Sequence, residues 1–285
     1  MVGGRILHFV FKIPERKQTL KFYRDILGMK VLRHEEFTEG CEAACNGPYA
    51  NRWSKTMVGY GPENSHFAIE LTYNYGVKEY ELGNDFQGIT ICSKDIIERA
   101  KSHNWPVKEE NGKHILEAPG GYKFFIVSQE KAKNEDPVEK VALSSSDLKR
   151  SIAFWKDTLE MTLLEEKGKI ALLKYKDNKT SLELQDIGTA VNHAKAYGRV
   201  AFAVPEAELE YIRKKIVDTK NTILKDLVRL DTPGKATVTV IILADPDGHE
   251  ICFVGSEAFD ELSQFDPKGE ALLERYIEKE ANKTL

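Results

Sequence analysis

The chain has 285 residues, a formal net charge of −4 and a charged fraction of 30%. That length suits two domains, and the 41% hydrophobic content is typical of a soluble globular protein. A slightly negative chain offers no basic surface for nucleic acid or for an anionic membrane. No apolar run has the length of a transmembrane helix and no apolar leader opens the chain, so we expect a protein of the cytoplasm or of the mitochondrion.

The first module predicts one helix among four strands. A strand-like run, ILHFVF, occupies 6–11, and apolar residues such as Leu20 and Ile26 then recur at helical spacing from about 15 to 27. Gly28 is a natural helix stop. The segments MKVLRHEEF, SKTMVGYG and HFAIELTYN follow as three β-rich runs, so this part of the chain is expected to fold as βαβββ.

The same order of elements returns three more times. Strand-like runs open the later modules at 86–93, 138–145 and 198–204, and each is followed by a helical segment and further β-rich runs. A charged, apolar-poor stretch separates the second module from the third. The sequence therefore predicts a first domain at 5–128, a linker at 129–137, a second domain at 138–255 and a helical tail at 256–285.

Two helix ends carry the clearest internal repeat. FYRDILGMKVL at 22–32 returns as FWKDTLEMTLL at 154–164. A shared apolar helix face would explain the matching aromatic and leucine positions, but not the basic–Asp pair and the methionine at the same offsets. The pairs HFAIEL with KTSLEL and APGGYKFFIV with DPDGHEICFV keep the same order, so we infer that the chain arose by duplication.

Three motifs mark the first module: HFV in the first strand, FYRDILGM at the helix end, and ELTYNYGVKEYELGN at 70–84. Together with the four-module order, they resemble the glyoxalase I branch of the vicinal-oxygen-chelate superfamily over about residues 5–255. The resemblance implies an α+β fold in which βαβββ modules form two glyoxalase-like domains with cupped mixed β-sheets. It also implies a lactoylglutathione lyase-type activity that detoxifies methylglyoxal as its glutathione adduct, with Zn²⁺ or Ni²⁺ as the metal.

In that branch, each of two paired modules gives one metal ligand from its first strand and one from its fourth. The resemblance assigns these positions in the first module to His8 and Glu70, an imidazole and a carboxylate that suit either metal. The corresponding positions of the second, third and fourth modules are, in order, Gly88 and Phe125, Lys140 and Glu183, and Arg199 and Cys252. No later module therefore keeps both ligands.

How the modules pair decides whether a metal site exists. Pairing in chain order gives the first sheet only His8 and Glu70, which would bind a metal weakly. Pairing of the first module with the fourth adds Cys252 as a third ligand, with Arg199 at the fourth position, where its fixed charge opposes a cation. The sequence leaves both pairings open, and with them the choice between a bound metal and none.

The resemblance also assigns roles in substrate binding. Asn74 stands where such enzymes contact glutathione, and Lys12 stands where they usually have an arginine that meets a glutathione carboxylate. Lysine keeps the charge of arginine but loses its two-pronged hydrogen bonding. Glu70, or a carboxylate of the paired module, is the expected base that moves the substrate proton.

Two functions from different classes follow. In the first, the chain is a glyoxalase I-type lyase whose small-molecule substrate is a glutathione conjugate or a related thiol conjugate. In the second, the metal site has decayed, and the same cup holds a small molecule or an unidentified protein partner without metal chemistry. The positions that cannot bind a cation, Gly88, Phe125, Lys140 and Arg199, support this second function.

The long connection at 38–53 carries Cys41 and Cys45, with His34 nearby. These three side chains could coordinate a metal ion. We expect two free surface thiols instead, because four cysteines in 285 residues do not make a disulfide framework and a reducing compartment is the default.

Overall fold

The structure is a computed structural model that describes residues 2–110, 112–129, 131–132, 135–176, 178–232 and 234–282. Within these residues the chain forms four βαβββ modules in sequence order, which confirms the predicted α+β fold. Positions 130, 133 and 134 of the predicted linker and 283–285 of the predicted tail lie outside the described residues.

Four strands belong to each module. The strands of the first module are β1 (Arg5–Lys12), β2 (Lys30–Phe37), β3 (Trp53–Gly59) and β4 (Ala68–Asn74). Those of the second are β5 (Phe86–Cys92), β6 (Lys108–Glu110), β7 (Lys113–Glu117) and β8 (Lys123–Val127). Those of the third are β9 (Val138–Ser145), β10 (Thr162–Lys167), β11 (Ile170–Lys174) and β12 (Ser181–Asp186). Those of the fourth are β13 (Arg199–Val204), β14 (Thr222–Leu230), β15 (Val238–Ala244) and β16 (Glu250–Gly255).

One helix follows the first strand of each module, and two more form the tail. The module helices are α1 (Lys17–Leu20), α2 (Ile96–Ser102), α3 (Leu148–Ile152) and α4 (Leu209–Asp218). The tail helices are α5 (Ser256–Leu262) and α6 (Gly269–Ala281). Helices α1 and α3 both continue as a π-helical turn, over Lys21–Ile26 and Ala153–Thr158.

The two repeated helix ends are built alike. The hydroxyl of Tyr60 donates to the carbonyl of Leu27 at 2.9 Å, and the hydroxyl of Tyr175 donates to the carbonyl of Leu159 at 2.8 Å. Each bond satisfies a carbonyl that the end of a helix leaves without an intrahelical partner. The repeat seen in the sequence is therefore also a repeat of local structure.

The strands form two eight-stranded sheets that combine both halves of the chain. The first sheet has the order β14-β15-β16-β13-β1-β4-β3-β2, and the second has the order β10-β11-β12-β9-β5-β8-β7-β6. The first module thus pairs with the fourth through β1 and β13, and the second with the third through β5 and β9. Of the two pairings that the sequence allows, the structure has the one that joins the first module to the fourth. The division into domains at 5–128 and 138–255 stays a prediction.

The main apolar core takes side chains from both sheets and from helices α1 to α4. Aromatic rings join the two sheets: the ring centroids of Phe9 and Phe86 lie 5.1 Å apart, and those of Phe11 and Tyr122 lie 4.2 Å apart. Burial of each such ring contributes roughly 1.5–3 kcal/mol. Side chains alternate along a strand, so His8 and Lys12 of β1 face the opposite side of the first sheet.

Helix α5 of the tail covers that opposite side, whereas α6 lies beside α1 on the core side. Helix α5 packs against β13, β15 and β16, and helix α6 packs against β2 at the far edge of the same sheet. Arg16 ties α6 down, because its guanidinium contacts Glu280 at 2.8 Å and lies over the ring of Tyr276. Among the described residues, no helix combines the length and apolar character that crossing a membrane requires.

Candidate active site

The register of the first sheet brings four of the aligned positions onto one face. His8 pairs with Ala201, and Ala201 pairs with Cys252. Val10 lies opposite Glu70 on one side and opposite Arg199 on the other. We call this face, which carries His8, Glu70, Arg199 and Cys252, the first cup. The corresponding face of the second sheet, with Gly88, Phe125, Lys140 and Glu183, is the second cup.

His8 and Glu70 lie together at the base of the first cup. Nε2 of His8 is 3.5 Å from Oε2 of Glu70, and both side chains are buried. Burial lowers the pKa of His8 to about 3, so the ring is neutral at physiological pH. Nδ1 of His8 is buried without a hydrogen-bond partner among the described residues. A neutral imidazole next to a carboxylate is a pair of donors suited to a cation.

Cys252 faces the same space from β16. Burial raises the pKa of its thiol to about 12, so the sulfur stays protonated at neutral pH while no cation is near. A divalent cation would favour the thiolate, because a coordinating thiol loses its proton.

Arg199 stands at the fourth ligand position, and its guanidinium is held by other groups. It donates to Oε2 of Glu250 from Nη2 at 2.6 Å. Nη2 also donates to the carbonyls of Ala43 and Ala44 at 3.0 and 3.2 Å. Arg199 is therefore both a wall of the first cup and the anchor of the loop at 38–52.

These side chains line a cavity of about 90 Å³. Its apolar wall comes from the fourth module and from α5, whose Phe259 and Leu262 are buried over the opening. The ring of Phe259 lies 6.3 Å from the ring of His8, centroid to centroid. The cavity is well below the roughly 300–1,000 Å³ of a typical small-molecule pocket. The first cup is thus a small, largely apolar site.

Sequence reasoning missed two cations of the cavity wall, Arg33 of β2 and Lys55 of β3. Arg33 is buried and donates from Nε to Glu63 at 2.6 Å and from Nη1 to Glu35 at 2.9 Å. Burial opposes the charge of Arg33, but Glu63 and Glu35 outweigh it and raise the pKa of the guanidinium above its ordinary range. The signal was present in KVLRHEEF, where several charged residues fall within a strand that is mostly buried.

Lys12 and Asn74 share the face of the first cup but do not line its cavity. Nζ of Lys12 donates to the carbonyl of Tyr197 at 2.5 Å and lies 3.4 Å from the centroid of the Tyr197 ring. The amide of Asn74 exchanges hydrogen bonds with Asn46, and its Nδ2 also donates to the Tyr80 hydroxyl at 3.0 Å. The loop at 38–52 therefore occupies Asn74, and Tyr197 of the connection before β13 engages Lys12.

Two donors of the first cup have a spacing that suits a divalent metal. Two ligands of one tetrahedral Zn²⁺, with bonds of about 2.0–2.1 Å, lie about 3.3 Å apart, close to the 3.5 Å between His8 Nε2 and Glu70 Oε2. Cys252 adds a sulfur donor on the same cavity. His8 and Glu70 are thus placed to hold one ion, whereas these two ligand atoms and the Cys252 sulfur do not all lie within 4.8 Å of one another.

The expectation of two free thiols in the 38–53 connection is wrong. Cys41 and Cys45 form a disulfide, and Cys45 lines the cavity. His34 is not placed to bind a metal with these cysteines. Its Nδ1 hydrogen-bonds the Thr56 hydroxyl at 2.8 Å, and its Nε2 contacts Glu36 at 3.2 Å. The disulfide closes the short turn that presents the Ala43 and Ala44 carbonyls to Arg199.

The second cup lacks such a donor set. The ammonium of Lys140 pairs with Oε2 of Glu183, and Gln185 donates to Oε1 of the same carboxylate at 2.6 Å. Both oxygens of Glu183 are therefore engaged. Gly88 adopts φ of +138° and the ring of Phe125 lies where its side chain would begin. The polar groups of this cup thus bond to one another, and Phe125 leaves no room for a side chain at position 88.

Comparison with known proteins agrees with this architecture. A family model for the glyoxalase domain-containing protein 4-like C-terminal domain matches residues 147–262, and one for the glyoxalase domain-containing protein 4 N-terminal part matches residues 88–128. Glyoxalase domain-containing protein 4 of Mus musculus is 55% identical, over 98% of this chain and 94% of that protein.

Two further relatives carry glyoxalase names. Glyoxalase 1 of Caenorhabditis elegans is 45% identical over 97% of both chains. The crystal structure of glyoxalase I from Zea mays superposes with a TM-score of 0.72 at 28% identity, covering 90% of this chain and 94% of that one. From its two-sheet fold and these matches, the chain belongs to the glyoxalase domain-containing protein 4 family.

Proposed function

We propose that this chain is a glyoxalase I-type lyase that acts in the first cup on the glutathione–methylglyoxal adduct or a related thiol conjugate. One observation carries the proposal: His8, Glu70 and Cys252 converge on a single buried cavity, with the imidazole and carboxylate 3.5 Å apart. A relative named glyoxalase 1 that is similar over nearly the whole chain supports it.

The proposed reaction moves two protons within the substrate. A base removes the proton from the carbon that bears sulfur and hydroxyl, the electron pair forms an enediolate with the neighbouring carbonyl, and the proton returns to that neighbouring carbon. The hydroxyl proton passes to the neighbouring oxygen, so the carbon that bears sulfur becomes the carbonyl of the thioester. Glu70 is proposed as this base, because it is the carboxylate that lines the cavity among the described residues. The product is a thioester with the same atoms as the adduct.

Charges of the cavity wall would stabilise the anion. Arg199, Lys55 and Arg33 all line the cavity, and fixed positive groups in a water-poor site act strongly on developing negative charge. A Zn²⁺ or Ni²⁺ ion held by His8, Glu70 and Cys252 would add Lewis-acid polarisation of the substrate oxygens.

Substrate binding would require the loop at 38–52 to move. The proposed glutathione contacts, Lys12 and Asn74, lie under this loop, and a cavity of about 90 Å³ is too small for a whole thiol conjugate. Withdrawal of Asn46 would free the Asn74 amide, and the cavity would then open toward Lys12 along the same face.

The test is lyase activity of the purified chain after metal removal and reloading with Zn²⁺ or Ni²⁺. His8→Ala should lower kcat/KM by at least about 100-fold, as expected when a catalytic constellation loses a member. The matched control is Lys140→Ala, which changes the same strand position in the second cup and should leave activity unchanged. Full activity in both His8→Ala and Glu70→Ala, or none in the loaded parent, would refute the proposal.

One observation favours a second candidate, a binding protein without metal chemistry. Arg199 occupies the fourth ligand position, where its charge repels a cation. The first cup would then hold an anionic small molecule beside Arg199, Lys55 and Arg33. Metal analysis of the parent and of His8→Ala, both purified without chelator, separates the two functions: Zn or Ni that is lost in the variant supports the lyase, and no such loss supports the binder.

A further inference from the structure

A second group of potential metal ligands lies away from both cups, where the chain passes between the two sheets. Asp85 precedes β5 on the connection from the first sheet to the second, and His193 lies on the connection that returns from β12 to β13. His249 ends the turn between β15 and β16. One ligating atom from each of these residues lies within 4.8 Å of the other two.

Both imidazoles are oriented by backbone carbonyls. Nε2 of His193 lies 2.9 Å from the carbonyl of Asp247, and Nε2 of His249 lies 2.7 Å from the carbonyl of Ser144. Because a carbonyl only accepts, each Nε2 carries a proton, and Nδ1 is the nitrogen with a lone pair in the neutral ring. Metal-binding histidines are commonly held in this way, with the second ring nitrogen bonded to a carbonyl.

The contact between His193 and Asp85 requires one more positive charge. Nδ1 of His193 lies 2.9 Å from Oδ2 of Asp85, and a carboxylate is also an acceptor. Two acceptors therefore flank one ring. Either an extra proton makes His193 an imidazolium, or a cation takes the place of that proton between Nδ1 and the carboxylate.

The surrounding charges favour a cation. The carboxylates of Asp245 and Asp247 lie on the same turn as His249, and the backbone N–H of His249 donates to Asp245. Arg150 is engaged by Asp247 at 2.7 Å. Lys12 of β1 also lies close enough to Asp85 for their charges to interact. The carboxylates of Asp85, Asp245 and Asp247 thus have Arg150 and Lys12 as cationic neighbours.

The three ligands are held in place before any ion binds. Leu82 and Ala194 form a β-bridge between the two connections. The backbone N–H of Asn84 donates to the backbone carbonyl of Asn192 at 2.8 Å. The amide of Ser144 donates to the Asp85 carbonyl at 2.8 Å, so one residue of β9 fixes the backbone of Asp85 and the ring of His249. Preorganised ligands lower the entropic cost of binding an ion.

We propose that Asp85, His193 and His249 form a structural Zn²⁺ site that joins the two sheets, separate from the first cup. Two imidazole nitrogens and one carboxylate oxygen, with water as the fourth ligand, suit a tetrahedral zinc ion. Binding releases one proton from His193. Closing the ligand atoms to about 3.3 Å from one another would need shifts of about 1 Å. His193 is partly exposed, so an ion can reach the site from solvent along this side chain.

The test is titration of the metal-free chain with Co²⁺ and Zn²⁺. Co²⁺ at this site should give d–d absorption without the thiolate charge-transfer band that Cys252 would add in the first cup. A second equivalent of Zn²⁺ should bind and raise Tm by at least about 2 °C. Asp85→Asn and His193→Gln should each lower the affinity for this second Zn²⁺ by at least about tenfold. His103→Gln, at an exposed histidine, should leave that affinity unchanged.

Contrary results are equally clear. A chain that binds no metal beyond the first cup would overturn the proposal, and so would a second equivalent that survives both variants. Nitrogen NMR provides a check that does not depend on variants. If both ring nitrogens of His193 stay protonated with excess Zn²⁺, a proton and not a metal ion lies between Nδ1 and the Asp85 carboxylate, and the site is not a zinc site.

Discussion

The two cups share a topology and differ in what their faces carry. Each sheet has eight strands in the same arrangement, with the first strands of two modules paired at the centre. In the first cup, Glu70 receives one hydrogen bond of 3.3 Å from Thr72 and faces a neutral imidazole. In the second, Lys140 and Gln185 engage both oxygens of Glu183. Duplication thus preserved the apolar framework, while the chemistry depends on the few residues that each sheet presents on its cup face.

The two cups also differ in their cover. Phe259 and Leu262 of α5 line the first cup, together with Cys45 of the loop at 38–52. Within the described part of the chain, β8 leads to β9 with no helix like α5, and strand β10 of the second sheet is largely exposed. A small, apolar cup is the better place for chemistry that must exclude water.

The largest expected effect concerns this cover. Phe259→Ala removes a buried ring and should lower the free energy of unfolding by about 3–5 kcal/mol. Urea denaturation measures it. The matched control is Phe265→Ala in the same tail, whose side chain is 58% exposed and which should change stability by less than about 0.5 kcal/mol. Equal losses in the two variants would mean that α5 does not cover the cup.

The next effect concerns Lys12, whose equivalent in β9 is Ser144. Burial lowers the pKa of Lys12 from its ordinary 10.5 to about 8. Between these values the unfolded chain holds a proton that the folded chain has released, so the free energy of unfolding rises with pH across this window. Lys12→Met should remove this rise and stabilise the fold at pH 7 by about 1–3 kcal/mol.

Lys149→Met, at an exposed lysine of α3, is the control for that measurement. It should keep the pH dependence of the parent between pH 8 and 10.5, the interval set by the two pKa values of Lys12. The comparison is made by urea unfolding at several pH values. If Lys12→Met retains the full slope, Lys12 is charged in the folded protein and the account of its burial fails.

The smallest effect tests the fourth ligand position. Arg199→His replaces a repelling cation by an imidazole and should raise the Zn²⁺ affinity of the first cup by about tenfold, a gain of about 1.4 kcal/mol. Competition with a chromophoric chelator measures it. Lys140→His in the second cup gives only two donors with Glu183 and should create no measurable site. An affinity gain from Lys140→His alone would contradict the distinction between the cups.

Much of this architecture is predictable from the sequence, because periodicity and the repeated frame depend on local patterns. The resemblance and the repeated segments, including DPDGHEICFV, led to His8, Glu70 and Cys252, and all three line one cavity in the structure. The pairing of modules was not predictable, because the first strands of all four are apolar and either arrangement would bury them.

Other features needed the three-dimensional structure. Phe259 belongs to a segment with an amphipathic pattern, and such a pattern does not say which surface the helix covers. Asp85, His193 and His249 come from three distant parts of the chain and meet only where the two connections cross. The Cys41–Cys45 disulfide was missed because cysteine counts describe frameworks and not single short turns.

The central claim, that the first cup alone carries the chemistry, is tested most directly by one matched pair of variants. Glu70→Gln and Glu183→Gln change the same fourth-strand position in the two cups and keep the size of the side chain. The kcat/KM of the metal-loaded enzyme should fall by at least about 100-fold in Glu70→Gln and stay within about twofold of the parent in Glu183→Gln. An equal fall in both, or a fall in Glu183→Gln alone, would contradict the claim.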